Sequence, residues 1–156
     1  MSLVLLPNTA ALTSAFLRAQ DEVSDLVDDR VYTILPNSKT FPLVRVRRIG
    51  GTAGTRFAHW LDAPLFQVDA WADTAAVAFE VTETCRAALV QRFSGIYHFT
   101  GVSGVVTSVE AGGITEGFDP DEQTKARGRF DAVVMARQAV RQRPKHVLFM
   151  RCSPTA

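Results

Sequence analysis

The chain has 156 residues, 47% of them hydrophobic and 21% charged, a size and balance that fit one globular domain and exclude a disordered or membrane-embedded chain. Seventeen basic residues against sixteen acidic ones leave a formal charge of +1, too balanced for whole-surface attraction to nucleic acid. A single domain over residues 1–156 is expected, with residues 138–156 as a candidate C-terminal arm.

The opening run Leu3-Val4-Leu5-Leu6 has no basic flank, and it is shorter than the roughly 7–15 apolar residues of a secretory signal. No later stretch reaches membrane-spanning length, so folding in a host cytoplasm without membrane contact is expected. Asn8 is placed to cap a first helix, whose apolar stripe is Leu12, Phe16, Ala19, Val23 and Leu26. Asp28-Asp29-Arg30 ends it, and residues 31–35 read as a short extended segment closed by Pro36-Asn37-Ser38. Pro42 opens a strand with Val44 and Val46 on one face and Arg45 and Arg47 on the other.

Residues 50–55 are a glycine-rich turn, followed by extended stretches at 56–60 and 65–72 in a hairpin arrangement. In the second stretch Phe66, Val68 and Ala70 point inward against Gln67, Asp69 and Trp71 outward. The chain then turns at Asp73-Thr74 into a helix reaching Phe93, with a core stripe of Val77, Val81, Cys85, Ala88 and Leu89. Glu80, Glu83, Thr84 and Gln91 lie opposite, and Glu83 is spaced to pair with Arg86.

Residues 102–109 and 127–137 form two long antiparallel strands, the second setting Phe130, Ala132, Val134 and Ala136 against Arg129, Asp131, Val133, Met135 and Arg137. Residues 110–126 between them are rich in Gly, Asp, Glu and Pro. This exceeds the common hairpin loop of about 2–5 residues, so the segment is expected to project from the body and to be mobile in isolation. Residues 146–151 have the composition of a last edge strand or of an arm onto a neighbour. The fold class is therefore α/β of the α+β type: a mostly antiparallel sheet, two main helices on one face and a long β-hairpin loop.

Chemical motifs are weak throughout. The glycines at 50–54 are followed by no P-loop lysine, and Gly101-Val102-Ser103-Gly104 misses the nucleophile-elbow spacing. His59, His98 and His146 stand apart on different elements, and Cys85 and Cys152 lack any C-x-x-C partner. Asp119, Asp121 and Glu122 lack the glycine and closing glutamate of a calcium loop. No catalytic, cofactor-binding or metal-binding residue is assigned. Arg45, Arg47, Arg127, Arg129 and Arg137, with Gln67, Asp69 and Asp131, share one sheet face. Two accounts fit it: a solvated face with internal ion pairs, or a subunit interface whose register is set by directional guanidinium–carboxylate pairs.

Leu6-Pro7-Asn8 precedes the first helix, and Arg30-Val31-Tyr32 with Pro36 and Phe41-Pro42-Leu43-Val44 follow it. Then Phe66-Gln67-Val68-Asp69-Ala70-Trp71-Ala72 runs into a helix bearing Arg86-Ala87-Ala88-Leu89, and Arg129-Phe130-Asp131-Ala132-Val133-Val134 closes the series. In order and spacing these motifs resemble the tail-terminator (tail-completion) proteins of long-tailed bacteriophages and gene transfer agents, over residues 6–136. The resemblance implies a hexameric ring at the head-proximal end of the tail tube, which stops tube growth and presents its other face to neck or head-completion proteins. DNA would pass through the lumen without sequence recognition, and the location would be the tail–neck junction of the virion.

On that basis Arg45, Arg47, Gln67, Asp69, Trp71, Arg129 and Asp131 are expected at subunit contacts. Glu110, Glu116, Phe118, Asp119, Asp121, Glu122 and Lys125 are expected to meet the tail-tube protein or the neck. The basic stretch 137–151 extends past the matching strand and has no counterpart in the pattern. Competing readings are another neck component such as a head-closure or connector protein, a small α/β enzyme or ligand-binding dimer, and a DNA-binding regulator.

Overall fold

The computed structural model describes residues 3, 5–51 and 60–139. Asn8 caps the first helix as its spacing predicts: its side-chain oxygen accepts from the Ala11 N–H at 3.2 Å. That helix is two helices, however, α1 (Thr9–Arg18) and α2 (Asp21–Val27), parted where Gln20 takes an extended backbone. Asp21 and Glu22 then fall in the first turn of α2, where carboxylates are favoured by the helix dipole. The break exposes Ala19 and leaves Val23 and Val27 buried.

A seven-stranded sheet carries these helices in the order β1-β2-β3-β7-β5-β4, with β6 also paired to β7. Its members are β1 (Val31–Tyr32), β2 (Leu43–Gly51), β3 (Pro64–Ala72), β4 (Gly95–Phe99), β5 (Val102–Ala111), β6 (Thr115–Asp119) and β7 (Glu122–Arg137). Only the short β1–β2 pairing is parallel, so the sheet is antiparallel in all but its edge. The α+β reading holds, with three helices among the described residues in place of two.

Helix α3 (Ala75–Arg92) begins at Thr74, whose hydroxyl accepts from the Val77 N–H at 3.3 Å. It packs across β3, β5 and β7 through Ala78, Val81, Thr82, Cys85, Ala88 and Leu89. Val77, placed in the core stripe by sequence spacing, is 37% exposed; Ala78 and Thr82 occupy the inward positions instead. Small residues are needed there because α3 lies very close to β7 at Gly128. Phe16, Phe93 and Tyr97 form an aromatic group at the other end of the core, with Phe16 and Phe93 stacked at 4.4 Å.

Two further elements differ from the expectation. β4 is an element the sequence reading lacks, although Ile96-Tyr97-His98-Phe99 followed by Thr100-Gly101 is a hairpin signature. Phe99 pairs with Val102 across that two-residue turn, where Gly101 supplies φ +81°. The segment expected to project as a loop is largely strand: β6 pairs with β7 from Thr115↔Arg129 to Phe118↔Ala126. β5 and β6 thus lie end to end along one edge of β7, while β3 runs along the other. Of the extended stretch expected at 56–60 only Trp60 is described, and it lies in a turn; residues 56–59, the strand expected at 146–151, and His59, His146 and Cys152 lie outside the described residues.

Candidate functional site

Strand pleating and register assemble the sheet face opposite the helices. One row across the strands is Leu43, Trp71, Arg127 and Gly117; the next is Arg45, Asp69, Arg129 and Thr115; a third is Arg47, Gln67 and Asp131. The expected side-chain direction is correct, but the exposure is not. Gln67, Asp69 and Trp71 point away from the helices and are nevertheless 7%, 0% and 2% exposed. Arginine stems from the strands on either side fold over them, as long side chains do when an apolar shaft covers surface and the charge stays near water.

Asp69 is the centre of this cover. Its Oδ2 accepts from Arg45 Nη2 at 2.8 Å, and its Oδ1 accepts from Arg127 Nε at 3.0 Å and Nη2 at 2.6 Å. The two guanidinium groups sit 5.0 and 5.4 Å from the Trp71 ring centre, within cation–π range. The Trp71 indole N–H donates to Asp119 Oδ2 at 3.3 Å, and Arg127 Nη1 lies 3.6 Å from the same oxygen. Two arginines and two aspartates therefore balance in charge across β2, β3, β6 and β7. Among the described residues, Arg45 Nε alone is buried without a hydrogen-bond partner. Arg127, which the sequence placed on this face but not among the contact residues, is the second clamp on Asp69; only the register reveals it.

The other predicted residues divide in two. Arg47 donates to Gln67 Oε1 at 2.7 Å. Glu122 is paired with Lys39, and Lys125 with Asp73, so the β6–β7 hairpin is fastened to the body. Asp119 also accepts the Asp121 N–H at 3.0 Å in the turn. Arg129, Asp131, Glu110 and Glu116 have no ion pair within the described residues. Phe118 is 77% exposed, beside a hollow of about 240 Å³ lined by Ala75, Ala78, Gly117 and Ala126 among others.

Nothing described has the arrangement of a reaction centre. No group of three or more His, Cys, Asp or Glu side chains among the described residues is placed to hold a metal ion, and His98 is exposed on β4. No described helix is long and apolar enough to cross a membrane. Burial pushes the Cys85 thiol up from 9.0 to about 12, which leaves it protonated and unreactive. In a Cys152→Ser background Cys85 is expected to react with a thiol reagent at pH 8 only as fast as the domain opens. Labelling as fast as that of a free thiol would contradict this. Because burial penalises the thiolate, Cys85 leaves stability unaffected below pH 9, where both states hold the proton, and the fold loses stability as pH rises from 9 towards 12, where only the unfolded state ionises.

The fold is that of an α+β domain with one internally braced sheet face and, among the described residues, unpaired charges at its border. No protein-family model matches the chain, and no curated protein matches it. Among solved structures, a chain of the "Virion of native gene transfer agent (GTA) particle" has a similar fold, with a TM-score of 0.51 and 18% identity over 83% of this chain and 97% of that one.

Proposed function

We propose that this protein is a structural virion subunit of the tail-terminator kind, forming a hexameric ring that caps the head-proximal end of a tail tube and joins it to the neck. The observation that carries the reading is the near end-to-end likeness of fold to a gene transfer agent virion chain, in company with the order of motifs along the sequence. No enzymatic step is part of this role, and DNA in the lumen is passed rather than read.

A closed ring needs two different patches on each subunit that fit one another. Arg129, Asp131 and Arg47 are among the members of the charged face that remain open to a neighbour. Asp69, Gln67 and Trp71 act beneath them, holding β2, β3 and β7 in register. Glu110, Glu116, Phe118 and Asp121 on the hairpin side face the tube or neck protein, while Asp119, Glu122 and Lys125 brace that hairpin.

Purified protein mixed with tail tubes and imaged by negative stain is expected to show rings on one tube end. Arg129→Glu and Asp131→Arg are each expected to cut the ring-capped fraction at least about tenfold, because like charges brought together at an interface are strongly disfavoured. The isolated variants should remain folded. Rings that form normally with both variants would remove these residues from the interface. Particles found only on the head side of the neck would replace the terminator role with a head-closure one.

A further inference from the structure

Beside α3, on the helical side of the molecule, runs an open groove of about 490 Å³. Its lining includes the apolar Phe79, Ala87 and Ala88 and the charged Glu22, Glu80, Glu83 and Arg92. Phe79 is 46% exposed. Two of the carboxylates are already matched: Glu22 takes two bonds from Arg92 at 2.7 and 2.9 Å, and Glu83 takes two from Arg86 at 2.8 and 2.9 Å. Arg92 draws the Glu22 carboxyl down to about 2, and Arg86 lowers Glu83, so both stay ionised. Glu80 has no ion pair among the described residues.

The chain past Ala139 has a complementary composition. Residues 140–156 hold Arg141, Arg143, Lys145 and Arg151 and no acidic residue. Four of the seventeen basic residues thus lie there, leaving thirteen against sixteen acidic ones in the rest of the chain. Within this basic segment Val147-Leu148-Phe149-Met150 is a continuous apolar run, which is costly to leave in water at about 1.5–3 kcal/mol for each large side chain.

Position and reach agree. Ala136 pairs with Val106, and Val106 with Gly95, three residues after Arg92 at the groove end. Two strand spacings of about 4.8 Å separate those positions. The eight residues from Ala139 to Val147 span up to about 26 Å when extended, enough to enter the groove.

We infer that the groove along α3 is the docking site of this chain's own C-terminal segment, residues 140–156, with the run at 147–150 on Phe79 and Ala87 and the flanking basic side chains beside Glu80. This inference is independent of the ring. It concerns how one subunit covers its own apolar surface.

Cys152 is a native reporter of the segment, and buried Cys85 does not compete with it. In the full-length protein Ala87→Cys places a thiol in the groove lining. Ser103→Cys is the control, on the opposite sheet face yet close to the chain's exit at Ala139. Under diamide oxidation the intramolecular disulfide to Cys152 is expected to form at least about tenfold faster with Ala87→Cys, since docking raises the effective concentration of the two thiols. Adding Glu80→Lys should shrink that advantage. Equal rates for the two positions, or disulfides formed only between separate molecules, would overturn the assignment.

Discussion

Asp69→Asn is expected to lower the unfolding free energy by about 3 kcal/mol, the usual cost of leaving a buried charge without its partner. The variant keeps the size of the side chain but leaves the Arg45 guanidinium against Trp71 without its carboxylate, and Arg127 with Asp119 alone at 3.6 Å. For a chain of this length each kcal/mol corresponds to roughly 2–4 °C, so the melting temperature should fall by about 6–12 °C. Thermal and urea unfolding of the isolated protein measure it. A loss below about 1 kcal/mol would mean the cluster is more hydrated than its burial indicates. The measurement also separates two roles, because an aspartate serving only in subunit contact would disturb rings and leave the isolated subunit unchanged. Adding Arg45→Met to Asp69→Asn should cost less than the sum of the single changes, since one stranded charge is then removed.

Gly128→Ala should cost about 2 kcal/mol, against the sign that strand propensity alone suggests. In a strand interior alanine is ordinarily better than glycine by roughly 0.5–1 kcal/mol. Here an added Cβ would lie 2.2 Å from Thr82 Oγ1, 3.0 Å from Thr82 Cβ and 3.1 Å from the Ala78 carbonyl oxygen. The helix must therefore lift or slide off β7, and overpacking of this kind costs about 1–3 kcal/mol. Thr82 is poorly placed to yield, because its hydroxyl donates to the Ala78 carbonyl at 2.6 Å inside the helix. Thr82→Ala in the same chain should restore part of the loss by removing the nearest atom. If Gly128→Ala is neutral or stabilising by urea titration, the close approach of α3 to β7 is wrong.

Much of the architecture was legible because it rests on local patterns. Asn8 at a helix start, the valines and arginines of β2, and the two-residue alternation of β7 each follow from backbone geometry within a few residues. Other features depend on partners distant in sequence. A period of 3.6 residues puts Val77 and Ala78 equally near the inward face, and only the proximity of Gly128 on β7 selects the alanine. The composition of residues 110–126 reads as a loop because exposed hairpin strands and true loops draw on the same polar residues. Pairing to β7 makes part of that segment β6.

The charged face shows where the boundary falls. Alternation along single strands set which side Arg45, Gln67, Asp69, Trp71, Arg129 and Asp131 point to, and this required nothing beyond the pleat. Whether a side chain pointing outward meets water is settled by what the adjacent strands lay over it. The register brings Arg45 and Arg127 onto Asp69, consumes its charge within one chain, and leaves Arg129 and Asp131 without an ion pair among the described residues. Direction is a local property of the backbone and could be read from the sequence. Burial and charge pairing are sums over strands up to 58 positions apart, and only the tertiary structure decides them.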